Sequence, residues 1–356
     1  MLCITVLLSG CSSPRPQETA SEQPQSAQLQ IGLSFDSFVI ERWLRDRDVF
    51  VSAAEEMGAS VNVQNANGDV DEQIDQIRYF IRKGVDVIAI VAIDGDALTE
   101  VVQEAKAAGI RVVCYDRLIR NAGTDLYVSF DNERVGYLMG EHLNEQLHGE
   151  GDIFAIYGSR SDNNVELIIE GLNKALENTD ISIVYSSYCD NWLAELAFDA
   201  VNEGLAAHPD VDGIMCGNDD LASQAIRALA EHRLAGSIPV AAQDAELAAC
   251  QRILEGTQTM TVFKSVEEEA RCAAELAVRL ARGEQIMDPE PESEMPGELA
   301  VTQTIFDGTY DVPYYVIEPV AVTKENLGEV IIDSGFHRRE DVYLNISREE
   351  MTERIS

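Results

Sequence analysis

From Leu29 onward, short apolar runs alternate with longer stretches in which apolar residues recur every three or four positions, the pattern of strands followed by amphipathic helices. Ile31 to Phe35 reads as the first strand. The helix after it carries Trp43, Phe50, Ala54 and Met57 on one face and charged residues on the other, and it stops at Gly58. Val61 to Val63, Val85 to Ile93 and Arg111 to Tyr115 continue the strands, with the intervening helices ending at Gly84 and Gly109. The unit recurs about every 25 residues, the length of a right-handed crossover between parallel strands. A second series begins at Ile153 to Tyr157 and runs through Ile181 to Tyr185, Gly213 to Cys216 and Pro239 to Ala242. The pattern predicts an α/β fold of two doubly wound parallel-sheet lobes joined by a multi-strand hinge.

Leu126 to Phe130 is followed by Asp131-Asn132-Glu133, which starts a new helix, and this is the first candidate hinge. Met260 to Phe263 is the second. A third crossing is expected around Phe306 to Val312, after an acidic, proline-rich loop from Gly283 to Glu298. One lobe then comprises 29–131 plus about 265–308 and the other 132–264 plus about 309–340, leaving 341–356 as a tail.

The beginning of the chain follows a different rule. Met1 to Leu8 is a short apolar run ending in Leu8-Ser9-Gly10-Cys11, which resembles a bacterial lipobox, so 1–11 reads as a lipoprotein signal segment whose Cys11 thiol carries the lipid. Ser12 to Gln28 is rich in Ser, Pro, Gln and Glu and reads as a flexible tether. Attachment to the membrane is expected through that lipid, because no other stretch approaches the ~20 apolar residues that span a bilayer.

With 356 residues the chain has room for two cores. Its 63 acidic residues against 26 basic ones leave a net charge of -37, without a basic stripe, and such a surface repels phosphate backbones. Nucleic-acid binding is excluded on that ground. Five cysteines follow Cys3 and Cys11, an odd number that cannot all pair; Cys114 and Cys216 sit in strand-like runs as small hydrophobes. No Cys/His spacing suggests a metal, and no glycine-rich phosphate loop follows a strand, so neither a metal nor a cofactor is expected. Asn65, Asn67, Asp69 and Asp71 alternate as in a calcium loop, but Val70 and Gln76 stand where its glycine and glutamate belong. A turn at Asn67-Gly68 with Asp69 capping the next helix accounts for them better.

In open parallel sheets ligands bind outside the carboxyl ends of the strands. Polar doublets stand there: Asp116-Arg117, Asn218-Asp219 and Gln243-Asp244. A mixture of acceptors with multiple donors suits a neutral polyol. Helix capping is the competing role for Asp219, Asp220 and Asp244, and a structural ion pair for Asp116 with Arg117. Trp43 and Trp192 fall one in each lobe, and their flat faces suit either core packing or the C–H face of a sugar ring.

The motifs Glu41-Arg42-Trp43, Tyr115-Asp116-Arg117, Ser129-Phe130-Asp131-Asn132-Glu133, Asp162-Asn163-Asn164, Asn191-Trp192, Asn218-Asp219, Gln243-Asp244-Ala245 and Gly256 to Lys264 together resemble the bacterial D-xylose-binding proteins, a branch of the ribose-type periplasmic binding proteins. The resemblance runs over most of 30–340. It implies that Arg42, Asp116, Arg117, Asn164, Asn218, Asp244 and Lys264 hydrogen-bond a monosaccharide on which Trp43 and Trp192 stack. It further implies an extracytoplasmic monomer that closes on its sugar and serves the membrane subunits of an ABC permease or, alternatively, a membrane sensor kinase. No catalysis is expected. A glycosidase would need one of Asp116 and Asp244 as an acid, and Arg117 and Lys264 beside them favour the ionised form.

Overall fold

The computed structural model describes residues 28–288 and 299–346; Cys3, Cys11, the signal segment, nearly all of the tether, most of the acidic loop and the end of the tail lie outside the described residues. The first lobe is built from β1 (Leu29–Phe35), α1 (Arg42–Glu56), β2 (Ala59–Asn65), α2 (Val70–Lys83), β3 (Val87–Ile90), α3 (Thr99–Ala107), β4 (Arg111–Tyr115) and β5 (Leu126–Phe130). The second contains α4 (Asn132–Gln146), β6 (Glu150–Tyr157), α5 (Asn163–Leu176), β7 (Asp180–Tyr188), a 3-10 turn at Asp190–Trp192 and α6 (Glu195–Ala207). It continues with β8 (Gly213–Cys216), α7 (Asp219–Glu231), β9 (Val240–Gln243), α8 (Leu247–Glu255) and β10 (Met260–Phe263). The chain then returns through α9 (Val266–Ala281), β11 (Gln303–Phe306) and β12 (Asp311–Ile317), and ends with β13 (Val320–Thr323), a π-helical turn at Gly328–Asp333 and α10 (Arg339–Val342).

The first sheet has the order β11-β12-β5-β4-β3-β1-β2 and the second β13-β10-β9-β8-β6-β7. Each is parallel except for one antiparallel edge strand, β11 against β12 and β13 against β10. Helices cover both faces, so β3, β8 and β9 are buried at every position, and that is why β3 and β8 read as unbroken apolar runs and β9 as one up to Gln243. Helix ends follow the sequence signals. Asp69 caps α2 by accepting from Glu72 N, and Gly84 closes it at φ 67°, a left-handed conformation that glycine adopts without penalty. Asp131 caps α4 through Arg134 N as the chain enters the second lobe.

Three crossings join the lobes: at Asp131, between β10 and α9, and between β12 and β13. The last differs from the expected position at Phe306 to Val312. β12 pairs in parallel with β5, Val316 opposite Ser129, so the first lobe keeps the chain as far as Ile317. The tail also begins later than 341, because Val342 of α10 is buried in a cluster with Cys250, Ile253 and Leu254 of α8. Cys114, Cys189, Cys216, Cys250 and Cys272 are free and buried. Among the described residues no helix is long and apolar enough to cross a membrane.

Candidate ligand-binding site

Seven parallel strands deliver polar or aromatic side chains from their carboxyl ends into the gap between the lobes. β1 leads to Arg42 and Trp43 at the start of α1, and β4 to Asp116 and Arg117. From the second lobe, β6 leads to Asn164, β7 to Trp192, β8 to Asn218, β9 to Asp244 and β10 to Lys264. All nine line one cavity, together with Ile40, Asn132, Asp162 and Gln243. Both tryptophans are buried, Trp43 at 1% and Trp192 at 6% exposure.

The first-lobe wall is organised by Arg42. Its guanidinium meets Asp116 at 3.0 Å, Asp46 at 3.2 Å and Glu269 of α9 at 2.5 Å. Tyr115 donates its hydroxyl to Asp46. Burial raises the Glu269 carboxyl well above its usual range, and the Asp116 charge adds to that against the pull of Arg42. Asp116 behaves oppositely: burial would raise it, but Arg42, Lys264 and Arg117 together hold it below the ordinary carboxylate range. Arg117 does not close a pair with its neighbour in sequence. It reaches Asp36 at 2.8 Å and, across the cleft, Asp162 at 2.7 Å. The ion pairing considered for Asp116 with Arg117 is therefore redistributed, Asp116 to Arg42 and Arg117 to two other carboxylates.

In the second lobe Lys264 pairs with Asp244 at 2.8 Å. Asn218 caps α7 by accepting from Leu221 N at 2.9 Å, which places Asp219 and Asp220 inside the first turn rather than at the cap. Asp219 serves the interior, accepting from Thr261 Oγ1 at 2.8 Å and Gln258 Nε2 at 2.7 Å. Asp244 caps nothing, since α8 begins beyond Glu246. The lobes touch around the cavity: Asn164 Nδ2 donates to Asp116 Oδ1 at 3.0 Å, and Asn163 Oδ1 accepts from Leu118 N at 2.8 Å. The conformation is closed.

Two properties mark this cavity as a place for a ligand. Asn218 Nδ2, Gln243 Oε1 and Trp43 Nε1 are buried without a hydrogen-bond partner among the described residues, two donors and one acceptor. Native interiors rarely leave such groups unpaired. In addition, Asp116, Trp192 and Asp244 adopt φ values of 63°, 57° and 101°, a region costly for residues with side chains and concentrated at functional sites.

Residues 31–285 match the periplasmic binding protein domain. The chain belongs to that family. Over 328 residues it is 42% identical to the D-xylose-binding periplasmic protein of Haemophilus influenzae, covering 91% of this chain and 95% of that protein. The D-xylose-binding periplasmic protein of Escherichia coli is 38% identical over 342 residues, with 95% and 98% covered. Among solved structures, a carbohydrate transporter solute binding protein from Chloroflexus aurantiacus in complex with D-glucose superposes with a TM-score of 0.78 at 29% identity, covering 88% of this chain and 98% of that one. As a periplasmic binding protein the chain is extracytoplasmic, and it binds its ligand rather than transforming it.

Some members of the periplasmic binding protein's site were not found by reading the sequence. Asp46 stands four residues after Arg42 on α1, a spacing that signals an ion pair, but it looked like one more charge on a solvated face. Glu269 carries no local signal, since it meets Arg42 from 227 residues away. Gln243 and Asp162 stood inside the quoted motifs without a role in the expected contact set.

Proposed function

We propose that this protein captures one neutral monosaccharide between its lobes, D-xylose before other aldoses, and presents it to the membrane subunits of an ABC permease. The observation that carries this reading is the convergence of Arg42, Trp43, Asp116 and Arg117 from one lobe with Asn164, Trp192, Asn218, Asp244 and Lys264 from the other on a single cavity that retains unpaired donors and an acceptor. The names of the two relatives at 42% and 38% identity support xylose as the sugar. In this reading the seven polar residues hydrogen-bond the hydroxyls and the two indoles stack on the ring. A hydroxyl both donates and accepts, so it can satisfy Asn218 Nδ2 and Gln243 Oε1 alike.

The open protein offers each half of the set to solvent, and sugar completes the set by shifting the equilibrium toward closure. The permease then reads the closed shape. A lipid on Cys11 would hold the monomer at the membrane surface within reach of it. Titration calorimetry against a panel of pentoses and hexoses tests the proposal. One-site binding with D-xylose tightest is expected; tighter binding of a hexose would overturn the choice of sugar, and no heat with any aldose would overturn the proposal itself.

A further inference from the structure

Asp162 stands outside the expected contact set, yet its carboxylate ties together three parts of the closed protein. Oδ1 accepts from Asn164 N at 2.9 Å and caps α5. Oδ2 accepts from Trp192 Nε1 at 3.2 Å within the second lobe and forms an ion pair with the Arg117 guanidinium, 2.7 Å from Nε, across the cleft. Arg117 in turn donates to Asp36 at 2.8 Å and to the Ala92 carbonyl at 3.0 Å, both in the first lobe. Asp36, Arg117, Asp162 and Trp192 form an unbroken line from one lobe to the other, with the Arg117 and Asp162 side chains only 4% and 2% exposed.

The cap and the indole bond need only the second lobe, so both can exist while the cleft is open. The ion pair with Arg117 requires the lobes to be together, and it falls on the same oxygen that fixes the indole. We infer that Asp162 is a positioning residue and a closure latch: it sets the Trp192 ring in the open lobe and engages Arg117 as the lobes meet. What Trp192 and Arg117 then hold is the sugar of the proposed function, but the latch itself does not require a ligand.

The energetics suit a latch that selects rather than drives. Removing Arg117 and Asp162 from water costs nearly as much as their pairing returns, so the pair biases closure only mildly. A closure that failed to align them would bury the Asp162 carboxylate without its counter-charge while Arg117 kept only Asp36, which is far more costly. Correct closure is thereby distinguished from near misses, and sugar supplies the remaining drive.

Asp162→Asn separates the roles. The amide oxygen can keep the α5 cap, but its NH2 group then faces the Trp192 Nε1 donor in either state and the Arg117 guanidinium on closure, so the closed state is penalised more than the open one. Asp162→Ser keeps a capping oxygen and removes the reach to Arg117 without adding a donor clash. Small-angle scattering of the ligand-free proteins and stopped-flow release of D-xylose are the readouts, with thermal unfolding as the check on folding. Both variants should be more open without ligand and release the sugar about 10- to 100-fold faster, the asparagine variant more so. Wild-type scattering and wild-type release in both variants would overturn the inference. Were the unaltered protein to bind no sugar, the proposed function would fall, and the ligand-free scattering would still decide the latch.

Discussion

The Trp192 ring lies so close over Gly158 that a Cβ at residue 158 would meet it at 2.2 Å; a Cβ at Gly217 would stand 3.2 Å from the same ring. The indole fills space that a side chain at residue 158 would need, and backbone crowds it from the second position. Gly158→Ala should therefore displace Trp192 from Asp162 and from the cavity. A loss of about 1–3 kcal/mol in stability from overpacking is expected. Calorimetry should show D-xylose bound at least about tenfold more weakly, and unchanged affinity would contradict the role given to Trp192.

Arg42 is the only cation within ion-pair distance of Asp46 and Glu269 among the described residues, and it also meets Asp116. Arg42→Met should cost about 3–5 kcal/mol in urea unfolding at neutral pH, because buried carboxylates lose their counter-charge. Part of that loss should be regained toward pH 5, where the stranded carboxyls take up protons more readily than those of the unfolded chain. A variant equally destabilised at both pH values would contradict the assignment.

Asn218 performs two tasks with two ends of one amide, capping α7 with Oδ1 and leaving Nδ2 unpaired beside the cavity. Ser caps a helix about as well as Asn and adds no charge beside Asp219 and Asp244, so Asn218→Ser should unfold near the wild-type midpoint. The variant loses the amide donor toward the ligand, however, and D-xylose binding should weaken about tenfold or more. Loss of stability together with retained affinity would mean that the cap is its whole function.

Glu246 is 7% exposed, and its carboxyl is pushed up to about 10, first by burial and then by Asp219, Asp220, Asp244 and Glu41. Burial, opposed by Arg252, takes Asp219 to about 7. Both pKa values are raised in the folded state, from 4.5 and 3.8 respectively. Their contribution to stability is therefore complete below those ordinary values and is lost as pH rises through about 7 for Asp219 and about 10 for Glu246. The unfolding free energy should fall between roughly pH 5 and 9, at up to about 1.4 kcal/mol per pH unit for each proton retained by the folded state. Glu246→Gln should flatten that slope and exceed the wild type in stability at the alkaline end. A wild-type profile that rises over this range would contradict the account.

The strands are legible because helices on both faces leave β3, β8 and β9 no solvent side, and three or four consecutive apolar residues survive in each as a one-dimensional signal. Edge elements lack that signal. β11 exposes three of its four residues and β13 buries only Val322 fully, and this is why the expected third crossing falls one strand too early, before β12 instead of after it. Asp116, Arg117, Asn218 and Asp244 could be read from strand ends, a position fixed by topology, whereas Arg42, Asn164 and Lys264 came only with the motifs shared with the D-xylose-binding proteins. Asp46 and Glu269, each 0% exposed, could be read in neither way: a buried carboxylate looks like a surface one until its partner is known, and for Glu269 that partner, the Arg42 guanidinium, is brought near only by the packing of α9 on α1. Likewise, the sequence paired Asp116 with Arg117 as neighbours, whereas the left-handed backbone at Asp116 accompanies their separation toward different partners.

The central claim is that residues from both lobes close around one sugar, and a crystal structure of the protein grown with D-xylose tests it most directly. The account predicts a single pentose in the cavity, with hydroxyls within hydrogen-bond distance of Asp116 and Arg117 on one side and of Asn218 and Asp244 on the other, and a ring face against Trp192. Sugar seated elsewhere, or held by one lobe alone with the other half of the set turned away, would contradict it.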